Sequence, residues 1–320
     1  MKPKKLFFNA HHSPIGAFAT FTLGMKGATG GPGLELRQPS DQSIVIGYEE
    51  EPGNYAFLPF QEDENDTLSD FAILEEEADE ITTRLFGEEE IIRDFNVATD
   101  CWRAGRLEFR LISPVMPVPD PASGDNEALK LAICPAILAE ITIDNSDSDR
   151  DRPAVFGYRK HVQELSFNHL GFITDGKLQG IVQDHRIAIA SKDDGVTSAI
   201  APELALFVLA EKVEYNLETG LGENGALRIM VPAGEKKTIR TAIGFFREGL
   251  ATTGINARYF YTQYFKNIYG VCDYALENYD RYIEAAAKAD ASIDGANHLS
   301  DDQRFMLAHS IRSYYGNTQF

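Results

Sequence analysis

A short polar cluster near the amino terminus has the residue types best suited to binding a ligand. Asn9, His11, His12 and Ser13 lie just before the Pro14-Ile15-Gly16 turn, and their side chains offer both hydrogen-bond donors and acceptors. Adjacent residues on an extended segment point to opposite faces, so the two histidines make a poor bidentate metal site. Two interpretations stay open: ligand-binding residues on a loop, or one buried, hydrogen-bonded histidine beside one solvent-facing histidine.

Other residues that could act in catalysis give weaker signals. The acidic runs at 75–80 and 88–90 supply carboxylates, but adjacent charges in a run usually face water. Trp102 could stack on a sugar ring, although a single tryptophan near a predicted strand is more often part of the core. The remaining histidines lack the spacing of metal ligands. From these residues we identify no catalytic group, no metal site and no cofactor site.

Composition restricts the partners and the compartment. The chain carries 49 acidic and 30 basic residues, a formal net charge of −19, which disfavours nucleic acid and anionic membranes as partners. No apolar run reaches transmembrane length, and the run at 6–8 is too short for a signal peptide. Cys101, Cys134 and Cys272 have the spacing of neither a disulfide framework nor a zinc site. We therefore expect a reducing, cytoplasmic location.

Up to about residue 255, the sequence predicts short strands separated by turn residues. The predicted strands are 18–23, 44–48, 107–112, 131–143, 187–190, 226–231 and 238–246. The turn at 232–235 predicts a hairpin between the last two, because Pro232 presets φ and Gly234 accepts a positive φ. Many short strands with such turns are typical of a β-sandwich. Residues 200–215 could instead form a helix that begins after Pro202.

Beyond residue 255, the spacing of the apolar residues becomes helical. Aromatic and apolar residues between Tyr259 and Ala275 follow this spacing, and an alanine-rich stretch continues it to about Ala291. These features predict one or two helices. The turn at 294–297 separates them from the last segment of the chain.

The last segment, 299–320, predicts a helix whose apolar stripe has nothing earlier in the chain to cover it. Ser300 and Gln303 form a capping box at its start. The stripe consists of Leu307, Ile311, Tyr314 and Tyr315. Burial of such side chains contributes about 1.5–3 kcal/mol each, so we expect the segment to open a second domain. Without that domain, we expect residues 292–320 to be loosely held or dimerised.

Several segments resemble glycoside hydrolase family 52, the β-xylosidases. LFFNAHHSPIGAFATFTLG at 6–24 resembles the family's amino terminus, and LSDDQRFMLAHSIRSYYGNTQ at 299–319 resembles the segment that opens its catalytic domain. Further similar segments lie at 95–105, 113–121, 231–238 and 257–268. The resemblance covers nearly the whole chain and is weakest at about 150–211.

The resemblance implies an amino-terminal β-sandwich and a carboxy-terminal (α/α)6 barrel that holds the catalytic Glu and Asp. On this basis residues 1–255 form the β-sandwich, 256–298 a helical linker and 299–320 the first helix of a truncated barrel. The chain would then be the non-catalytic half of a retaining β-xylosidase acting on xylo-oligosaccharides. The implied partners are xylo-oligosaccharide or xylose, the missing barrel and, in a homodimer, a second copy.

Asn9, His11, His12 and Ser13 would line the xylose pocket at the seam between the two domains. The alternative is a stand-alone β-sandwich that acts as a carbohydrate-binding or interaction module. The uncovered stripe at 307–315 favours the half-enzyme, because a separate module would not end by exposing such a surface.

Overall fold

The chain is mainly β in the part that the structure describes. The computed structural model describes residues 3, 5–35, 40–61, 81–160, 170–173, 176–201, 224–251 and 256–320. Within them it has three sheets and four α-helices. The mainly β class predicted from the sequence is therefore confirmed. The acidic run at 75–80 and the possible helix after Pro202 lie outside the described residues.

The strands form two large sheets and one small sheet. They are β1 Ala10–His12, β2 Ala19–Leu23, β3 Gly31–Leu34, β4 Ser43–Glu51, β5 Asn54–Phe57, β6 Thr82–Leu85, β7 Ile91–Phe95, β8 Thr99–Ala104, β9 Leu107–Ile112, β10 Ala136–Asp144, β11 Arg152–Arg159, β12 Leu170–Ile173, β13 Gln179–Gln183, β14 Ile187–Ser191, β15 Val196–Ala201, β16 Asn224–Val231 and β17 Lys236–Phe245. The helices are α1 Asn126–Ala132, α2 Ile268–Glu277, α3 Tyr279–Asp294 and α4 Asp301–Gly316.

The two large sheets share one apolar core. One has eight strands in the order β12-β13-β14-β17-β10-β9-β8-β7, and the other has six in the order β15-β16-β11-β4-β5-β6. Phe109 of the first contacts Phe156 of the second, with ring centroids 5.1 Å apart. The small sheet, β1-β2-β3, adds Phe21 to the same core, 6.3 Å from the ring of Phe156.

Six of the seven predicted strands match observed strands closely, and the seventh prediction was wrong at its start. Residues 131 and 132 end helix α1 rather than begin a strand, and β10 starts at Ala136. Asp125 begins this helix, because its side chain accepts a hydrogen bond from the Ala128 N–H at 3.1 Å. Leu129 and Leu131 are buried on its apolar side.

The predicted turn at 232–235 is present, but the predicted hairpin was wrong. β16 pairs with β11 and β15 in the six-stranded sheet, whereas β17 pairs with β10 and β14 in the eight-stranded sheet. The turn therefore carries the chain from one sheet to the other. Buried Asn145 holds it, because its side-chain amide donates to the carbonyl oxygens of Val231, Pro232 and Arg150.

Helices α2 and α3 fulfil the prediction of one or two helices after residue 255, and α2 lies against the eight-stranded sheet. It approaches β17 closely at Gly244, where an added Cβ would lie 2.6 Å from Cys272 Sγ. Tyr259 to Gln263 departs from the helical prediction, because Phe260–Gln263 forms a short 3-10 turn.

Helix α4 begins with the predicted Ser300–Gln303 capping box, but only part of the predicted stripe packs inward, since Ile311 contacts the core and Tyr315 is half-buried. The buried residues of the helix are Ala308 and Arg312, while Leu307 and Tyr314 are exposed. The helix contacts β1, and the expectation that residues 292–320 are loosely held or dimerised stays a prediction. A polar side chain, Arg312, supplies much of this attachment, which an apolar pattern alone would not reveal.

Residues beyond α4 also pair with the amino-terminal segment. The Phe18 N–H donates to the Thr318 carbonyl oxygen at 2.9 Å, and the Phe320 N–H donates to the Gly16 carbonyl oxygen at 3.0 Å. The Thr318 hydroxyl accepts a hydrogen bond from the Gly16 N–H at 2.7 Å. The two ends of the described chain are thus joined by backbone hydrogen bonds.

Candidate functional site

Strand β1 places the two adjacent histidines on opposite faces, as the sequence predicts. His11 is partly exposed, and its Nδ1 lies 3.1 Å from the Thr22 hydroxyl and 3.3 Å from the Thr20 hydroxyl. His12 is fully buried. The interpretation of one buried, hydrogen-bonded histidine is therefore confirmed for His12. His11 is only partly exposed to solvent.

The buried face of β1 meets an ion pair in the eight-stranded sheet. Arg93 of β7 donates to both oxygens of Asp100 of β8, at 2.9 and 2.7 Å, and both side chains are fully buried. Arg93 also donates to the carbonyl oxygens of Leu6 and Phe8, both at 3.0 Å. A bidentate pair of this kind fixes direction as well as charge, so Arg93 ties the amino-terminal segment to β7.

Arg312 of α4 reaches the same region. Its Nε and Nη2 donate to the carbonyl oxygen of Asn96, at 2.9 and 2.7 Å. Its Nη1 donates to the His11 carbonyl oxygen at 3.2 Å and to His12 Nδ1 at 2.7 Å. Burial lowers the pKa of Arg312 to about 10, so the guanidinium stays cationic near neutral pH.

The bond from Arg312 fixes the tautomer of His12. Because Nδ1 accepts a hydrogen bond, the ring proton lies on Nε2, which faces Asp100 Oδ2 at 3.4 Å. Burial, together with the charge of Arg312, lowers the pKa of His12 to about 3. Burial opposes ionisation of Asp100, but Arg93 and His12 overcome it and hold its pKa below the usual value. The side chains of His12, Arg93, Asp100 and Arg312 form a buried cluster. This cluster contains a neutral histidine and an ionised carboxylate.

A second carboxylate holds the turn between β7 and β8, residues 96–99, from the side of α3. Asp290 accepts hydrogen bonds from the Ala98 N–H at 2.7 Å and from the Thr99 hydroxyl at 2.6 Å. Burial raises the pKa of Asp290. The same turn is thus bound by Asp290 at its donors and by Arg312 at the Asn96 carbonyl oxygen.

Aromatic side chains surround the cluster and exclude water from it. The Arg93 guanidinium lies 3.8 Å from the centre of the Phe8 ring and 4.2 Å from that of Trp102. Phe305 and His309 of α4 pack against Phe8, with ring centroids 5.2 and 5.3 Å away. Trp102 is fully buried, so the interpretation of Trp102 as a core residue is confirmed over the sugar platform.

Two of the four candidate residues face the periphery, and two lie in the interior. Asn9 is partly exposed and binds the backbone of Thr29 and Met25, with both hydrogen bonds 3.1 Å long. Ser13 is buried, and its Oγ has no hydrogen-bond partner in the part of the chain that the structure describes. The candidate ligand-binding surface therefore consists of the partly exposed side chains of Asn9 and His11. The buried His12 and Ser13 lie behind it.

Reasoning from the sequence missed three charged residues of the cluster, Arg93, Asp100 and Arg312, and the neighbouring Asp290. One signal was available for the first two, because each occupies a position in a strand where the alternation of side chains points inward. Asp290 and Arg312 carry no such signal. Their partners lie about 190 to 300 residues away, since Asp290 binds at a separation of 192 and Arg312 at 300.

Other residues with possible reactivity are inert or dispersed. The three cysteines are free and buried, and burial raises the pKa of Cys101 and of Cys134 to about 12. Across the described residues, no group of three His, Cys, Asp or Glu side chains could hold a metal ion. In the same part of the chain, no helix is both long enough and apolar enough to cross a membrane.

Comparisons with known proteins agree with the resemblance drawn from the sequence. The family model for glycosyl hydrolase family 52 matches residues 21–320. A beta-xylosidase of Geobacillus stearothermophilus is 46% identical over 99% of this chain, which covers 45% of that protein. A second beta-xylosidase of that organism is 37% identical over 99% of the chain, and 52% of that protein is covered. The chain spans about half the length of these relatives. It belongs to glycosyl hydrolase family 52 and corresponds to the amino-terminal part of that family's proteins.

Proposed function

We propose that this chain is the non-catalytic, amino-terminal half of a retaining β-xylosidase that acts on xylo-oligosaccharides. The observation that carries the proposal is its match, over 99% of its length, to less than half of a beta-xylosidase. Retaining glycosidases use two carboxyl groups about 5–5.5 Å apart. The family resemblance assigns both to the carboxy-terminal half of the enzyme. The chain's own role is then structural and substrate-binding.

We assign the domains as the sequence suggests: a β-sandwich at 1–255, a helical linker at 256–298 and the first barrel helix at 299–320. The exposed side of α4 supports the last assignment. Met306 and Tyr314 are 66% and 64% exposed there, although each is a large apolar side chain of the kind that interfaces bury. The proposed occupant is the (α/α)6 barrel of the complete enzyme, and a homodimer through the same face is the competing arrangement.

A hybrid chain tests the proposed function. In it, residues 1–320 replace the matching part of the beta-xylosidase that is 46% identical. We expect the hybrid to hydrolyse nitrophenyl xyloside and chain 1–320 alone to be inactive. Turnover by the chain alone, abolished by replacing one of its own carboxylates, would overturn the non-catalytic role. An inactive but folded hybrid, with xylo-oligosaccharide binding by the chain alone, would instead favour the stand-alone carbohydrate-binding module.

We further propose that Asn9 and His11 contribute polar groups to the xylose pocket, with His12 and Ser13 supporting them. The exposure of the side chains supports this division, because His12 and Ser13 are buried whereas Asn9 and His11 are partly exposed to solvent. The hydroxyls of Thr20 and Thr22 hold His11 Nδ1, which leaves Nε2 as the group that could bind a sugar hydroxyl.

In the hybrid, we expect His11→Ala to lower kcat/KM at least about tenfold, since one lost contact to the transition state costs about 1.4 kcal/mol. His185→Ala is the matched control, because His185 is exposed in the turn between β13 and β14. The melting temperature of each variant separates lost binding from lost folding. Unchanged kcat/KM for His11→Ala would show that the loop is structural.

A further inference from the structure

Arg312 joins α4 to two separate parts of the sheet region through one guanidinium. It binds the Asn96 carbonyl oxygen in the turn after β7, and it binds the His11 carbonyl oxygen and His12 Nδ1 in β1. The side chain is only 1% exposed. Because the guanidinium is planar and its donors are fixed in a fork, these bonds set the rotation of α4 as well as its distance from β1.

The turn at 96–99 also fixes the helix before α4. Asp290 of α3 binds the Ala98 N–H and the Thr99 hydroxyl, at 2.7 and 2.6 Å. Asp290 and Arg312 therefore hold one short turn at its donor and acceptor groups. The orientation of α4 relative to α3 follows from this shared contact.

The face of α4 opposite Arg312 is the surface through which that orientation would be transmitted. Ala308 and Arg312 are buried against the sheet region, whereas Met306, Leu307 and Tyr314 are 66%, 37% and 64% exposed. A helix fixed on one side and apolar on the other can align whatever packs on its free side. In the proposed enzyme that partner is the catalytic half.

We propose that Arg312 is a positioning residue for the proposed β-xylosidase activity. It touches no substrate, and it aligns the catalytic half with β1, which carries His11. This inference rests on the proposed function, because it requires a catalytic half on the exposed face of α4. It goes further by assigning the alignment of the two halves to one buried side chain and its contacts with Asn96 and His12.

The test is Arg312→Lys in the hybrid chain, with kcat and KM for nitrophenyl xyloside measured separately. Lysine keeps the charge but lacks the fork that binds Asn96 and His12 together. A purely structural role would lower the amount of folded enzyme and hence the apparent kcat, with KM unchanged. Misaligned halves should raise KM at least about fivefold and lower kcat/KM at least about tenfold, a loss of about 1.4 kcal/mol.

Arg152→Lys is the matched control, because Arg152 is also buried and also binds backbone carbonyl oxygens, those of Glu49 and Glu50. It makes no contact with α4 among its described hydrogen bonds, so we expect it to lower stability and leave KM unchanged. Asp290→Asn is a milder second variant at the shared turn, and it should also raise KM. It provides the test if Arg312→Lys does not fold.

The possible results separate the two proposals. If the hybrid with its natural residues hydrolyses the xyloside, but Arg312→Lys and Asp290→Asn keep its KM within twofold, the positioning role is wrong and the proposed function stands. An equal rise in KM for Arg152→Lys would also overturn the positioning role. If the unaltered hybrid is inactive, both proposals fail. A rise in KM confined to Arg312→Lys and Asp290→Asn supports the positioning role.

Discussion

Replacing Asp100 by asparagine is expected to lower the free energy of unfolding of this chain by about 3–5 kcal/mol. Asp100 accepts two hydrogen bonds from Arg93, and neither side chain has exposed surface. The substitution removes the charge that compensates a buried guanidinium, and the cost of that unpaired cation is large. Asp100 also attracts the nearby cationic Arg312, so the loss of that attraction would add to the effect.

Denaturant unfolding of chain 1–320 measures this effect, and Asp94→Asn provides the control. Asp94 also pairs with an arginine in the same two strands, Arg103, but their side chains are 31% and 42% exposed. A partly exposed pair of this kind contributes about 0–1 kcal/mol. Similar losses for the two variants would contradict the conclusion that burial makes the Arg93–Asp100 pair critical.

The second large effect is a loss of stability on acidification that depends on His12. In the folded chain the pKa of His12 is lowered from 6.5 to about 3, because of burial and the charge of Arg312. Below pH 6.5 the unfolded chain therefore binds a proton that the folded chain does not bind. Stability should fall by about 1.4 kcal/mol per pH unit in this window, about 3 kcal/mol between pH 7 and 4.

His12→Gln should remove this part of the pH dependence, because glutamine keeps hydrogen-bonding groups but does not titrate. The measurement is the free energy of unfolding at pH 7, 6, 5 and 4 for both chains. Some slope should remain in the variant, since burial also lowers the pKa of His11 and of His309. Parallel curves for the two chains would contradict a neutral, buried His12.

Asp100 contributes little in that window, which makes the comparison clean. Its pKa is held below the ordinary value of 3.8 by Arg93 and His12, against the opposing effect of burial. The stability it provides is present above pH 3.8 and is lost only as the pH falls through its folded pKa. Asp290, whose pKa burial raises, titrates in both chains, so the difference between the two curves at pH 4 and above reports mainly on His12.

Much of the fold could be predicted from local patterns. The strand at 107–112 was predicted with the observed bounds, because its inward side chains alternate with polar ones. The capping box at Ser300 and Gln303 was predicted because both of its hydrogen bonds lie within one helical turn. The opposite faces of His11 and His12 followed from the geometry of an extended strand.

Features that depend on distant partners could not be predicted in this way. The turn at 232–235 was identified, but it joins two sheets because both strands find partners elsewhere. The stripe on α4 was identified, but its Leu307 and Tyr314 are exposed, and the fully buried residues of the helix are Ala308 and Arg312. Hydrophobic spacing assumes that the buried face is apolar, and a buried arginine with several backbone acceptors violates that assumption.

The sequence by itself determined the strand-rich amino-terminal region, the helices after residue 255 and the family, because these depend on side-chain period, caps and motif similarity. Only the tertiary structure decided that His12, Asp100, Arg93 and Arg312 form one buried cluster. Those side chains come from β1, β7, β8 and α4, and their pKa values and hydrogen bonds arise only when folding excludes water around them. The attachment of α4 to β1 is therefore a property of the fold.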